Sequence, residues 1–104
     1  MREGYDIIAR NWRCPRGELD IVAWRDGVLV VCEVKARRNA DFGDPFEAIT
    51  PRKVLRLRRA TAAFVAEVGS ASSSITSPPG RWREIRFDAA AVVGARVTMR
   101  EGVV

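Results

Sequence analysis

Four charged residues bracket one apolar stretch of this chain. Glu18 and Asp20 lead into it, Glu33 and Lys35 lead out of it, and Asp26-Gly27 lies midway. Asp-Gly between two apolar runs is a strong short-range signal for a hairpin with a two-residue type I′ turn. With those two as turn residues, Arg25 faces Val28, Asp20 faces Glu33 and Glu18 faces Lys35. Side chains alternate across a strand, so Glu18, Asp20, Glu33 and Lys35 all leave from one face. Val22, Trp24, Leu29 and Val31 continue that face, and Leu19, Ile21, Ala23, Val30, Cys32 and Val34 form the other. Both faces are apolar, which predicts central strands covered on both sides.

Two carboxylates directly opposite each other have β-carbons about 4.5–5.5 Å apart and repel. Two arrangements relieve that repulsion. A hard divalent cation such as magnesium takes carboxylate oxygens and turns the pair into a metal site. Alternatively the charges are structural, with Glu18 on Lys35 and the other carboxylates on arginines or backbone amides. Lysine usage bears on the choice. Of 18 basic residues only Lys35 and Lys53 are lysines, and lysine is a compact donor with a tunable pKa where arginine is a permanently charged plane.

Composition narrows the chemistry further. The chain has 104 residues and no histidine, which excludes Ser-His-Asp and Cys-His catalysis, zincins and histidine-based nucleases. Cys14 and Cys32 alone cannot build the usual four-ligand zinc site and read as reduced thiols. The length suits one domain over 1–104. No run approaches the roughly 20 apolar residues of a membrane span, and the start "MREGYDIIAR" has no signal-peptide core, so the expected location is the cytoplasm. Charge is unevenly spread: residues 35–59 hold eight basic and three acidic side chains, while the rest holds ten of each, so this window carries the whole excess of +5. A focused positive field suits a polyanion.

The elements that must position these groups follow from turn signals and periodicity. Strands are expected over 5–13, 18–25 and 28–35, then a loop through "ARRNADFGDPFEAI". Thr50-Pro51 reads as a helix N-cap followed by proline at the first helical position. The helix runs from there to 68, with Val54, Leu57, Thr61, Phe64 and Val68 on one face and Arg52, Arg56 and Arg59 on another. Residues 69–80, "GSASSSITSPPG", read as a flexible polar linker, and two final strands meet at a turn at Gly94. The order βββαββ predicts a mixed sheet with at least one helix packed on it.

Asp20, twelve residues, then Glu33-Val34-Lys35 resembles the D…E-x-K signature of the PD-(D/E)XK nuclease superfamily. More specifically, "GYDIIARNWRCPRGELDIVA", "VLVVCEVKAR", "FGDPFEAITPRKVLRLRRAT" and "IRFDAAAV", in that order, resemble the bacterial YraN-like family, which is largely uncharacterised and related to Holliday-junction resolvases. The resemblance covers residues 4–68 and 85–93. It implies a restriction-endonuclease-like α/β fold, a mixed β-sheet flanked by helices, from which a usual N-terminal helix is missing here. It implies Asp20 and Glu33 as metal ligands, with the Val34 carbonyl as a third. Lys35 would orient or activate the attacking water, and Glu18 would assist the site or pair with Lys35. Lys53, at the helix N-terminus, would lie near the phosphate.

The expected activity is hydrolysis of DNA phosphodiesters, on branched or otherwise structured DNA, with Mg2+ or Mn2+ as cofactor. Arg37, Arg38, Arg52, Lys53, Arg56 and Arg59 are expected to bind the nucleic acid. Two alternatives stand beside it: a nucleic-acid-binding module that keeps the nuclease fold without cleaving, and an interaction protein whose arginine face takes an acidic protein. A partner subunit, including a second copy of the chain, would cover the surface left by the absent helix.

Overall fold

The computed structural model of the chain describes residues 4–37, 50–68 and 81–103. Five strands, β1 (Asp6–Cys14), β2 (Gly17–Arg25), β3 (Val28–Arg37), β4 (Glu84–Val93) and β5 (Arg96–Arg100), form one sheet in sequence order. Helix α1 (Pro51–Val68) falls between β3 and β4. All neighbouring strands are antiparallel except β3 and β4, which are parallel. That follows from connection length: a tight turn reverses the chain, whereas parallel strands need a long crossover, usually containing a helix. The protein is thus a mixed α/β fold, as the element order predicts. The expected loop from 38 and the linker over 69–80 lie outside the described residues.

The hairpin turn has the conformation that Asp-Gly favours. Asp26 and Gly27 have φ of 48° and 80°, the two positive values a type I′ turn requires. Regular pairing runs from Arg25–Val28 to Ile21–Cys32, in the expected register. The turn is held by the segment before β4. The Arg83 amide donates to the Gly27 carbonyl at 2.8 Å, and its guanidinium donates to the Asp26 carbonyl at 2.8 Å. A β-carbon at Gly27 would run into that guanidinium.

Helix α1 begins as its cap predicts. The Thr50 hydroxyl accepts from the Lys53 amide at 3.3 Å, and Pro51 opens the helix. Its apolar face carries Ala60, Thr61 and Phe64 into the core, where Ile8, Leu19, Val22, Leu29 and Val31 meet them. Thr61 satisfies its hydroxyl on the Leu57 carbonyl one turn back, at 2.7 Å. Trp12 stands edge-on to Phe64, with ring centroids 5.3 Å apart at 88°, a favourable aromatic geometry.

Leu19 corrects the alternation expected from sequence. A strictly alternating strand puts Leu19 and Val22 on opposite faces, yet both are buried in this one core. The alternation breaks locally: the β1–β2 pairing skips Asn11, which has φ 49°, between Arg10–Ile21 and Trp12–Leu19, and the β2–β3 ladder ends at Ile21.

The expectation of cover on both sides is met on one face among the described residues. Among the described residues there is one helix, and it packs on β1 and β2. Ile21, Ala23, Val30, Val34, Val97 and Met99 help line an open cavity of about 510 Å³ on the other face, where Val97 and Met99 are more than half exposed. One end of this face is polar. Arg86 donates twice to buried Asp88, at 2.8 and 2.9 Å, and once to the Tyr5 hydroxyl at 2.9 Å, while the Gly102 amide donates to Asp88 at 3.0 Å. Its bonds to Asp88 push the Arg86 guanidinium further above its usual range, against desolvation, so the guanidinium stays charged. Among the described residues no helix is long and apolar enough to cross a membrane.

Phe64 joins helix to sheet, and Phe64→Ala should cost about 3–5 kcal/mol, read as a lowered midpoint in urea denaturation at unchanged slope.

Candidate functional site

The site forms where β2 leaves β3. Backbone pairing between them stops at Ile21–Cys32, while β3 continues beside β4 through Glu33–Ala89, Val34–Ala90 and Lys35–Ala91. Beyond the last regular pair a side chain takes over from the ladder: Asp20 Oδ2 accepts from the Val34 amide at 2.8 Å. The backbone-amide arrangement left open by the sequence is therefore realised for one oxygen of Asp20. The parted strand ends and the first turns of α1 enclose a cavity of about 200 Å³ lined by Glu18, Asp20, Glu33, Lys35, Lys53, Arg56 and Leu57. The four residues expected to share a face do meet, and the helix adds three more.

Glu33 is the least satisfied member. Its Oε1 is 3.5 Å from Lys35 Nζ, and its Oε2 is buried with no hydrogen-bond partner among the described residues. A buried charged oxygen without a partner is costly, which makes this carboxylate fit for a cation. Asp20 and Glu33 are hard oxygen donors of the kind magnesium and manganese take. Among the described residues no group of three histidine, cysteine, aspartate or glutamate side chains is arranged to hold a metal. Two carboxylates are nonetheless a sufficient protein contribution for magnesium, which keeps several waters and recruits phosphate oxygens.

Glu18 does not pair with Lys35 as one expectation had it. Its carboxylate lies 3.4 Å from the Arg13 guanidinium across the β1–β2 hairpin, exposed to solvent, and Lys35 takes Glu33 instead. The reason is the parting of the strands. Glu18 and Lys35 face each other only if the ladder continues three pairs further than it does.

The two lysines of the chain, eighteen positions apart in sequence, meet in this cavity. Contact with the Lys35 side chain, partial burial and the neighbouring positive charges hold Lys53 below its ordinary value, with Glu33 pulling the other way. Cys32, on the neighbouring position of β3, has its thiol pushed up to about 11 by burial and then by Asp88, Asp20 and Glu33. It stays a protonated thiol at neutral pH, consistent with the reading from composition.

Of the expected nucleic-acid contacts, Arg52, Arg56 and Arg59 are exposed along α1, and Lys53 is half-buried at its start. Arg37 ends β3, and Arg38 lies outside the described residues. Sequence reading missed Arg16, which it left in the turn "CPRG". Arg16 joins Arg52, Arg56 and Arg59 around a groove next to the cavity. The available signal was Gly17, whose φ of 152° and lack of a side chain admit the stem of Arg56, with Cγ 3.1 Å from where a β-carbon would stand.

This is a mixed α/β protein whose acidic and lysine residues gather at the end of a parted hairpin. Residues 1–92 match the family described as "Uncharacterised protein family UPF0102", and the chain belongs to it. It is similar to a UPF0102 protein of Acidothermus cellulolyticus, 50% identical over 91 residues, covering 86% of this chain and 68% of that one. A UPF0102 protein of Beutenbergia cavernae is 46% identical over 95 residues, covering 90% and 71%. One from Renibacterium salmoninarum is 45% identical over 92 residues, covering 88% and 70%. Membership of an uncharacterised bacterial family thus agrees with the motifs.

Two outcomes follow from the geometry. Asp20→Ala orphans the Val34 amide and should cost about 1–3 kcal/mol, whereas Asp20→Asn keeps an acceptor and should cost less, both read by urea denaturation. Lys35→Met removes the first cause of the Lys53 depression, so the Lys53 titration followed by carbon-13 NMR should move to higher pH.

Proposed function

We propose that this chain is a nucleic-acid-binding protein of restriction-endonuclease-like architecture that hydrolyses DNA phosphodiesters, on branched or otherwise structured DNA, with magnesium or manganese. The observation that carries this reading is the convergence of Asp20, the unpartnered Glu33 oxygen and Lys35 in one cavity beside the start of a basic helix. In this reading Asp20 and Glu33 hold the cation, with the Val34 carbonyl as a third donor. A bound divalent cation supplies Lewis-acid polarisation of the phosphate and a more acidic water.

The residues of the chain supply the rest. The Lys35 ammonium, 3.5 Å from Glu33, adds positive charge where negative charge grows on the phosphate in the transition state. Lys53 stands three residues into α1, where amide groups and the helix dipole favour an anion. Arg56 borders the same cavity, and its planar guanidinium fork suits phosphate oxygens. Glu18, engaged by Arg13, acts at the rim. The lining has no histidine to serve as base, so Lys35 and the carboxylates are the groups left to orient water and hold its proton.

The test uses single-stranded, duplex and four-way-junction DNA, with and without manganese. The parent should cleave at least one form only with manganese. Asp20→Ala and Glu33→Ala should lose both cleavage and manganese binding. Lys35→Ala should lose about 10²–10³-fold in rate, as for removal of one oxyanion donor, while DNA binding persists. If the parent with manganese leaves every form uncut yet binds them, the protein is the non-cleaving module instead.

A further inference from the structure

A second concavity adjoins the candidate cleavage cavity. It is a groove of about 520 Å³ between the β1–β2 turn, at Pro15, Arg16 and Gly17, and the exposed side of α1, at Arg52, Leu55, Arg56 and Arg59. Four guanidinium groups surround it, and among the described residues no carboxylate lines it. Elsewhere arginines have found acids: Arg13 pairs with Glu18, Arg25 with Asp26 and Arg86 with Asp88. Around the groove, none of the four has an ion pair or hydrogen bond among the described residues. Uncompensated like charges gathered on one wall repel one another, and a chain of anions removes that repulsion while releasing counterions.

Arg56 belongs to both concavities, so the positive surface is continuous from one to the other. Its position depends on Gly17. The Arg56 stem lies where a β-carbon of residue 17 would be, at 3.1 Å from Cγ and 3.4 Å from Cδ. Arg52, Arg56 and Arg59 repeat at steps of four and three and so share one stripe of the helix. Among the described residues the lining includes no aromatic ring, and its apolar members are Cys14, Pro15 and half-exposed Leu55. None of these offers the ring face on which unpaired bases usually stack. Phosphate and sugar are what its groups can contact, and such contacts position a strand without reading its sequence.

We infer that the groove is a second phosphate subsite, joined through Arg56 to the candidate cleavage cavity, that holds the backbone of the nucleic-acid strand flanking the phosphate at Asp20, Glu33 and Lys35. The inference rests on the nucleic-acid reading above and deepens it. The substrate is a strand that continues past the reacting phosphate, not a mononucleotide or a short diester ending there, and binding is indifferent to base sequence.

The experiment measures binding of a fluorescent oligonucleotide to the full chain by anisotropy across a salt series, with calcium in place of manganese. Arg16→Gln/Arg59→Gln, which touches the groove but not the cavity, should weaken binding and reduce the log–log salt slope by about 1.4–1.8, at 0.7–0.9 per phosphate contact. Arg81→Gln/Arg96→Gln makes the same change in net charge at exposed sites away from the groove and should leave the slope as in the parent. A dinucleotide should compete poorly against the labelled strand. Should the groove variant keep the parental slope, or the control flatten it equally, the subsite is overturned while the nucleic-acid reading stands. A parent that binds no oligonucleotide in a salt-dependent way ends both. Manganese titration of each variant checks that the cavity is still folded, and Arg16→Glu/Arg59→Glu should exaggerate the loss.

Discussion

The register of a single hairpin is the constraint on which everything else in this structure depends. Asp26 and Gly27 both sit at positive φ, a combination open to Asp-Gly and closed to most other pairs. That conformation leaves one way to pair β2 with β3. A slip of one residue would send every side chain of one strand to the other face, exchanging Val22 and Trp24 for their neighbours and carrying Asp20 away from Glu33. The Arg83 contacts to both turn carbonyls tie β4 to the same turn, so the parallel strand inherits the register that the turn sets.

The candidate site exists because this pairing is then given up. Past Ile21 and Cys32, β2 turns away and β3 stays with β4. Ala89, Ala90 and Ala91 on β4 are small and buried beside Glu33, Val34 and Lys35, and β3 keeps this one neighbour where it has lost the other. The break would leave the Val34 amide without a partner, and a buried amide in that condition is expensive. Asp20 supplies the acceptor. One carboxylate oxygen thereby fastens the opening, and the same side chain faces the cavity. The proposed chemical role would fall on a residue that already has a structural one, and the two are separable by comparing variants that keep the acceptor with variants that lose it.

Electrostatics inside the cavity are deliberately unbalanced. Glu33 has one oxygen near Lys35 and one with no partner, and Lys53 is crowded against Lys35. Unlike the Arg86–Asp88 pair, where hydrogen bonds satisfy both partners on the opposite sheet face, the cavity keeps capacity for further ions of both signs. A cation at the carboxylates and an anion at the lysines would complete it. The groove with Arg16 extends the positive side of that imbalance outward along α1.

Local features of this chain were decided by its sequence. The Asp-Gly turn, the Thr50-Pro51 helix start, the alternation of Val22, Trp24, Leu29 and Val31 and the apolar stripe through Phe64 each depend on residues a few positions apart, and each appears where the sequence puts it. So did the meeting of Asp20 with Glu33, because a two-residue turn makes positions equidistant from it neighbours. Tertiary structure decided the rest. β3 runs on past β2 beside β4, more than fifty residues along the chain, and the parting of β2 from β3 left Glu18 on Arg13 and Lys35 on Glu33. Leu19 joined the helix-facing core beside Val22 against strict alternation, which no pattern within β2 records. Lys53 met Lys35, and Arg16 met Arg56, only once α1 had been laid across the sheet, since side-chain proximity between elements is set by packing and not by spacing along the chain.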